Sequence, residues 1–169
     1  MRILKLFLLG LLTSLAPLLV VAAPHANGVI TANAGTTFEL GSTGDPLVLS
    51  HTVDGLAQVS LIGNCTVHFD TLVQVPPPGE AWKVSGSMRF ASADGSSVLR
   101  MDVTGWVMFD PANPAFANFH YDGVITSGEG EFAGARGKAE IDGAGLLTSA
   151  TTGKATWLLK GNVFTRPSE

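Results

Sequence analysis

From Leu47 onward, nearly every segment of this chain alternates apolar and polar residues with a period of two, and none keeps a helical period. Successive side chains of a strand point to opposite faces, so such a chain must fold as sheet with one apolar face. The strand-like runs cover about 47–53, 55–62, 65–75, 81–92, 97–109, 116–126, 131–147 and 153–164. Asp94-Gly95 between two alternating runs is a strong hairpin signal. Val75-Pro76-Pro77-Pro78-Gly79-Glu80 reads as a stiff extended connection, because each proline fixes φ and lacks a ladder donor. Asp110-Pro111-Ala112-Asn113-Pro114 and the stretch from Thr148 to Gly153 read as the remaining turns.

The alternation also sorts residues by face. Cys65, Val67, Phe69, Val73 and Val75 stand together against Thr66, His68, Asp70 and Gln74. Trp82, Val84, Met88 and Phe90 oppose Lys83, Ser85, Ser87 and Arg89, and Leu99, Met101, Val103, Val107 and Phe109 oppose Arg100, Asp102 and Thr104. Phe119, Tyr121 and Ile125 oppose His120 and Asp122, and Trp157, Leu159 and Val163 oppose Lys154 and Lys160. About eight antiparallel strands must hide their edges, and closure into a barrel does so completely. The expected fold is all-β: a single closed antiparallel barrel over 46–165 with an apolar interior, a two-sheet sandwich being the alternative.

Ahead of the barrel, Arg2 and Lys5 precede an apolar run ending at Val21, the charge order of a secretory signal. The expected signal covers 1–23, with cleavage near Ala22 or Ala23 and Ala26 as the second choice. Thr13, Ser14 and Pro17 interrupt the run, which argues against an uncleaved membrane anchor. Residues 24–45, polar, glycine-rich and aperiodic, read as a flexible lead-in that settles near Thr37-Phe38-Glu39-Leu40. The expectation is therefore a secreted or periplasmic protein with no membrane contact once the signal is removed.

Removal of the signal leaves 8 basic against 14 acidic residues, a formal charge of −6, which argues against nucleic acid or anionic lipid as a partner. The single cysteine, Cys65, has no intramolecular disulfide partner, so the fold rests on packing. His25, His51, His68 and His120 fall on different runs without ligand spacing, and no metal or other cofactor is expected. No Ser-His-Asp grouping is readable. The same-face polar residues His68 with Asp70, Arg100 with Asp102, His120 with Asp122, and Glu140 with Asp142, together with Arg89, read as pairs on a solvated outer surface. The alternative is that they line the lumen as general acids and bases. An eight-stranded barrel has room inside for side chains or for one small ligand. The candidate lining is Phe69, Trp82, Met88, Phe90, Phe119, Tyr121 and Trp157, which form either a filled core or the walls of an apolar site.

Four glycines at 128, 130, 134 and 137 surround Phe132, in a pattern of tight turn, aromatic plug and strand start. Gly128-x-Gly130-x-Phe132-Ala133-Gly134-Ala135-Arg136-Gly137 resembles the glycine-rich signature Gly-Gly-Thr-Gly-x-Phe-x-x-Ala-x-Gly of the allene oxide cyclase and dirigent barrel superfamily, with Ser127 and Glu129 where Gly and Thr are usual. The chain is most similar to secreted bacterial proteins with an allene-oxide-cyclase-like barrel. The resemblance implies an eight-stranded barrel with a hydrophobic lumen and, as in plant members, a homo-oligomer. It carries over no catalytic residue: the plant cyclases use a glutamate in the first barrel strand, and the region that corresponds, about His51 to Ile62, contains Asp54 and no glutamate. Two functions from different classes fit: a non-catalytic exported barrel that binds an apolar small molecule or serves structurally, and an isomerase or cyclase that folds an apolar substrate in the lumen. A module that docks partners on its outer face is a third.

Overall fold

A computed structural model describes residues 28–165. The signal over 1–23 lies outside the described residues. Eight antiparallel strands follow one another around a closed barrel, each paired with its chain neighbours and the last with the first. They are β1 Gly28–Ser42, β2 Val48–Val59, β3 Gly63–Gln74, β4 Trp82–Ser92, β5 Val98–Asp110, β6 Asn113–Glu129, β7 Arg136–Leu147 and β8 Thr152–Phe164. A single 3₁₀ turn, Gly130–Phe132, sits between β6 and β7. Sandwich packing is thereby excluded, and no strand edge is left open.

The strand count matches expectation for a partly wrong reason. Residues 28–42, read as lead-in, form β1 and pair with both β2 and β8. The runs read as 47–53 and 55–62 are the single strand β2. β1 turns small residues inward: Ala32, Ala34 and Thr36 are buried there, and Ala34 stands beside Trp157 of β8 in register. Small side chains on one strand thus leave room for the indole of the next, and the weak hydrophobic period is the consequence. Asp54, the gap between those two runs, is strand. A Cβ at Gly55 would lie 2.8 Å from the Thr36 Cα and would strike the Gly35 carbonyl oxygen, so the glycine permits close approach of β1. The run read as 131–147 is shortened to β7, which begins at Arg136 after the 3₁₀ turn Gly130–Phe132.

The expected face assignments hold in the described strands. Cys65, Val67, Phe69 and Val73, Val84, Met88 and Phe90, Leu99, Met101 and Val103, Tyr121 and Ile125, and Trp157, Leu159 and Val163 all point into the barrel and are buried. The Asp94-Gly95 hairpin forms as expected. Asp94 Oδ1 accepts from the Ser92 hydroxyl (2.6 Å), the Ser96 hydroxyl (2.8 Å) and the Ser96 amide (3.0 Å), which holds its carboxyl down at about 2.

The glycine-rich stretch closes one end. Phe132 is 0 % exposed and belongs to the hydrophobic core. Gly130 takes φ +63°, and a Cβ there would collide with the Ser96 carbonyl oxygen of the β4–β5 hairpin. Arg136 is exposed and donates from Nη1 to the backbone carbonyls of Ala135 (2.6 Å) and Thr126. Thr126 lies at the register shift between β5 and β6, so the guanidinium satisfies a carbonyl at a bulge.

Candidate ligand site at the open mouth

The barrel is filled unevenly along its axis. At the end closed by Phe132, the side chains of Ile30, Met88, Phe90, Leu99, Met101 and Ile125 are buried almost completely. At the other end, where β1 runs into β2, β3 into β4, β5 into β6 and β7 into β8, an apolar cavity of about 70 Å³ remains. Its walls come from all eight strands: Phe38 of β1, His51 and Val53 of β2, Phe69 and Val73 of β3, Trp82 of β4, Val107 and Phe109 of β5, Phe119 and Tyr121 of β6, Gly145 and Leu147 of β7, and Ala155 and Trp157 of β8.

Five of the seven residues singled out in the sequence, Phe69, Trp82, Phe119, Tyr121 and Trp157, share this cavity. Met88 and Phe90 do not line it and belong to the filled part of the core. Phe90 lies next to the cavity wall, its ring centroid 6.1 Å from that of Trp157. Aromatic contacts brace the walls: Phe69 meets Trp157 edge-on at 5.8 Å, Phe119 stacks on Tyr121 at 5.0 Å, and Trp82 meets Phe109 edge-on at 4.9 Å. Burial pushes the Tyr121 phenol well above its ordinary pKa, so it stays a neutral hydroxyl.

His51 was not among the sequence candidates, although it has the parity of Val53, Ala57 and Val59 on β2. Its Nδ1 lies 2.9 Å from the Thr71 hydroxyl oxygen, and that hydroxyl is 3.0 Å from the His51 carbonyl oxygen. A hydroxyl has one proton, and Thr71 gives it to the carbonyl; Nδ1 must therefore carry the ring proton and donate it to Thr71. Nε2 is left with a lone pair. Desolvation pushes the His51 pKa down to about 4, so the ring is neutral near pH 7. The one buried side-chain polar atom without a hydrogen-bond partner among the described residues is Nε1 of Trp157, which is 4 % exposed.

This burial has a sign that can be measured. A histidine that titrates near 6.5 in the unfolded chain and near 4 in the folded one leaves the unfolded state holding more protons between those values. Stability from His51 is thus present above about pH 6.5 and is lost as the pH falls toward 4. The outer histidines, His68 and His120, have raised pKa values, from hydrogen bonds to Asp54 and to Asp142 first of all. Their contribution has the opposite sign: it is present below about 6.5 and is lost as the pH rises through their folded pKa values. Chemical denaturation at pH 7.5 and 4.5 should therefore show the native protein losing about 2 kcal/mol more than His51→Gln across that interval. Equal losses would contradict the burial of a neutral ring.

The polar pairs lie on the outer face, which removes the reading that they line the lumen. His68 Nδ1 is 2.7 Å from Asp54 and its Nε2 is 3.0 Å from Asp70. His120 Nδ1 is 2.7 Å from Asp142 across β6 and β7, whereas Asp122 is 3.8 Å from Nε2. Arg100 pairs with Glu129 at 2.7 Å rather than with Asp102, and it stands beside Arg89 in register. Glu140 faces Lys160 across β7 and β8. The first barrel strand is β1 rather than the region from about His51 to Ile62. Its glutamate, Glu39, is on the exposed face. Among the described residues no group of three or more His, Cys, Asp or Glu is placed to hold a metal ion.

The molecule is thus a closed eight-stranded antiparallel barrel with one plugged end and one aromatic-walled mouth. No protein-family model matches the chain, and no curated protein matches it. Among solved structures it is similar to a pterocarpan synthase dirigent protein, at 16 % sequence identity and a TM-score of 0.53. The alignment covers 85 % of this chain and 88 % of the other. At that identity the likeness is one of fold, a closed eight-stranded antiparallel barrel.

Proposed function

We propose that this protein is an exported, non-catalytic barrel that holds an apolar small molecule in its open mouth. The observation that carries the reading is the uneven filling of the lumen. The same strands that pack Phe90, Met88 and Phe132 without a gap at one end leave a cavity walled by aromatic rings at the other. Ligand sites are concave, mostly apolar and furnished with a few polar groups, and here the residues that carry them are Thr36, His51, Tyr121 and Trp157. The cavity is below the roughly 300 Å³ of a drug-sized site, so the guest is a small ring or the end of a longer molecule that projects from the mouth. Export is supported by the order of charge and apolar residues before Ala23.

A second reading, an isomerase or cyclase acting on an apolar substrate in the same cavity, is favoured by the name of the structurally similar protein, a synthase. It requires a bound compound that the barrel converts, whereas a carrier returns its guest unchanged. Native mass spectrometry of the protein purified from its own source tests both and reads the oligomeric state. The expected spectrum shows the chain with a small guest, and Ala155→Phe, which fills the mouth, shows the chain without it.

A further inference from the structure

We infer that the cavity selects a neutral, mainly apolar ligand carrying one hydroxyl or N–H group, and that Nε2 of His51 accepts that hydrogen bond. The inference deepens the lumen-binding reading and rests on it. Three observations support it together. First, the lining contains no Lys, Arg, Asp or Glu, so a charged ligand group would be stripped of water and offered no counter-charge. Second, Thr71 uses its own proton on the His51 carbonyl and thereby fixes the ring with Nδ1–H toward Thr71. The remaining polar atom of a ring that lines the cavity is then an acceptor with a fixed direction. Third, the indole N–H of Trp157 lacks an acceptor among the described residues. A lone pair on the same ligand would relieve that cost as well.

His51 differs in this from the other two described histidines. His68 and His120 each lie between carboxylates on the outer surface. His51 is bordered by the Phe38 ring, 5.6 Å away edge-on, and by Thr71. An inward position that served packing alone would be filled by an aliphatic side chain, as Val53 and Val59 fill theirs on the same strand.

The test is an NMR titration of the ¹⁵N-labelled protein with toluene, benzyl alcohol and benzoate, following backbone amides at the mouth and the Trp157 indole resonance. In the native protein, benzyl alcohol is expected to bind at least as tightly as toluene although water holds it better, and benzoate is expected not to saturate. His51→Leu should lower the benzyl alcohol to toluene affinity ratio about fivefold or more, because the ligand hydroxyl is left unpaired. Should that variant not fold, Thr71→Val, which frees the ring to change tautomer, should lower the same ratio. An unchanged ratio in the folded variant, or benzoate binding as well as benzyl alcohol, would overturn the inference and leave lumen binding standing. Failure of all three probes to bind would overturn both.

Discussion

Phe90→Asp is expected to abolish folding. Phe90 is 0 % exposed in the plugged half of the barrel, opposite Val67 of β3 and Leu99 of β5 in register, with the Trp157 ring beside it. A carboxylate there would have no partner and no water. Such burial costs several kcal/mol even after relaxation, set against a whole-domain stability of about 5–15 kcal/mol. The graded version is Phe90→Ala, which should lose about 3–5 kcal/mol by urea denaturation. Trp82→Ala, at the mouth, should lose less than half as much, because its side chain is only partly buried and already borders open space. Similar losses at the two positions would mean a lumen packed evenly from end to end. That result would remove the basis of the proposed site.

The second large effect is expected at Gly130. Valine there meets two separate penalties. The backbone φ of +63° is a conformation that β-branched residues rarely adopt, costing about 1–3 kcal/mol, and the new Cβ would collide with the Ser96 carbonyl oxygen. The hairpin at Asp94-Gly95 cannot yield freely, because Asp94 ties it through three hydrogen bonds. The combined loss should be on the order of 3–5 kcal/mol, which for a chain of this size lowers the melting temperature by roughly 10–15 °C. Gly79→Ala is the control. Gly79 also has a positive φ, +93°, but a Cβ there meets nothing within 4 Å, so only the conformational cost remains. A Gly130→Val melt no lower than that of Gly79→Ala would show that the glycine stretch is not pinned against the hairpin.

Period-two patterning made the strand faces legible because a closed barrel puts one face of every strand inside. What it hid was β1. Its inward residues Ala32, Ala34 and Thr36 are scarcely more apolar than the outward Thr31, Asn33 and Gly35, and the reason lies on other strands, where Trp157 and Phe90 supply the volume. The gap between the runs 47–53 and 55–62 has a related origin: Gly55 is needed for the close approach of β1, and neither Asp54 nor Gly55 carries the apolar period. Parity also fixes which way a residue points but not its height along the barrel axis. Phe69 and Phe90 have the same inward orientation, yet one walls the cavity and the other fills the plug. His51 could be found by its parity with Leu49 and Val53 within the run 47–53. Its tautomer could not, because that depends on Thr71 of β3 coming opposite it in register.

The central claim is that the open mouth holds a neutral apolar guest, and native mass spectrometry tests it most directly. Protein taken gently from its own source should give a mass above that of the processed chain, and the excess should disappear on denaturation as a small uncharged compound. Ala155→Phe, prepared in the same way, should give the bare chain while melting no lower than the native protein. A bare chain from the native protein, with Ala155→Phe neither more nor less loaded, would contradict the account and leave the cavity an unfilled part of the core.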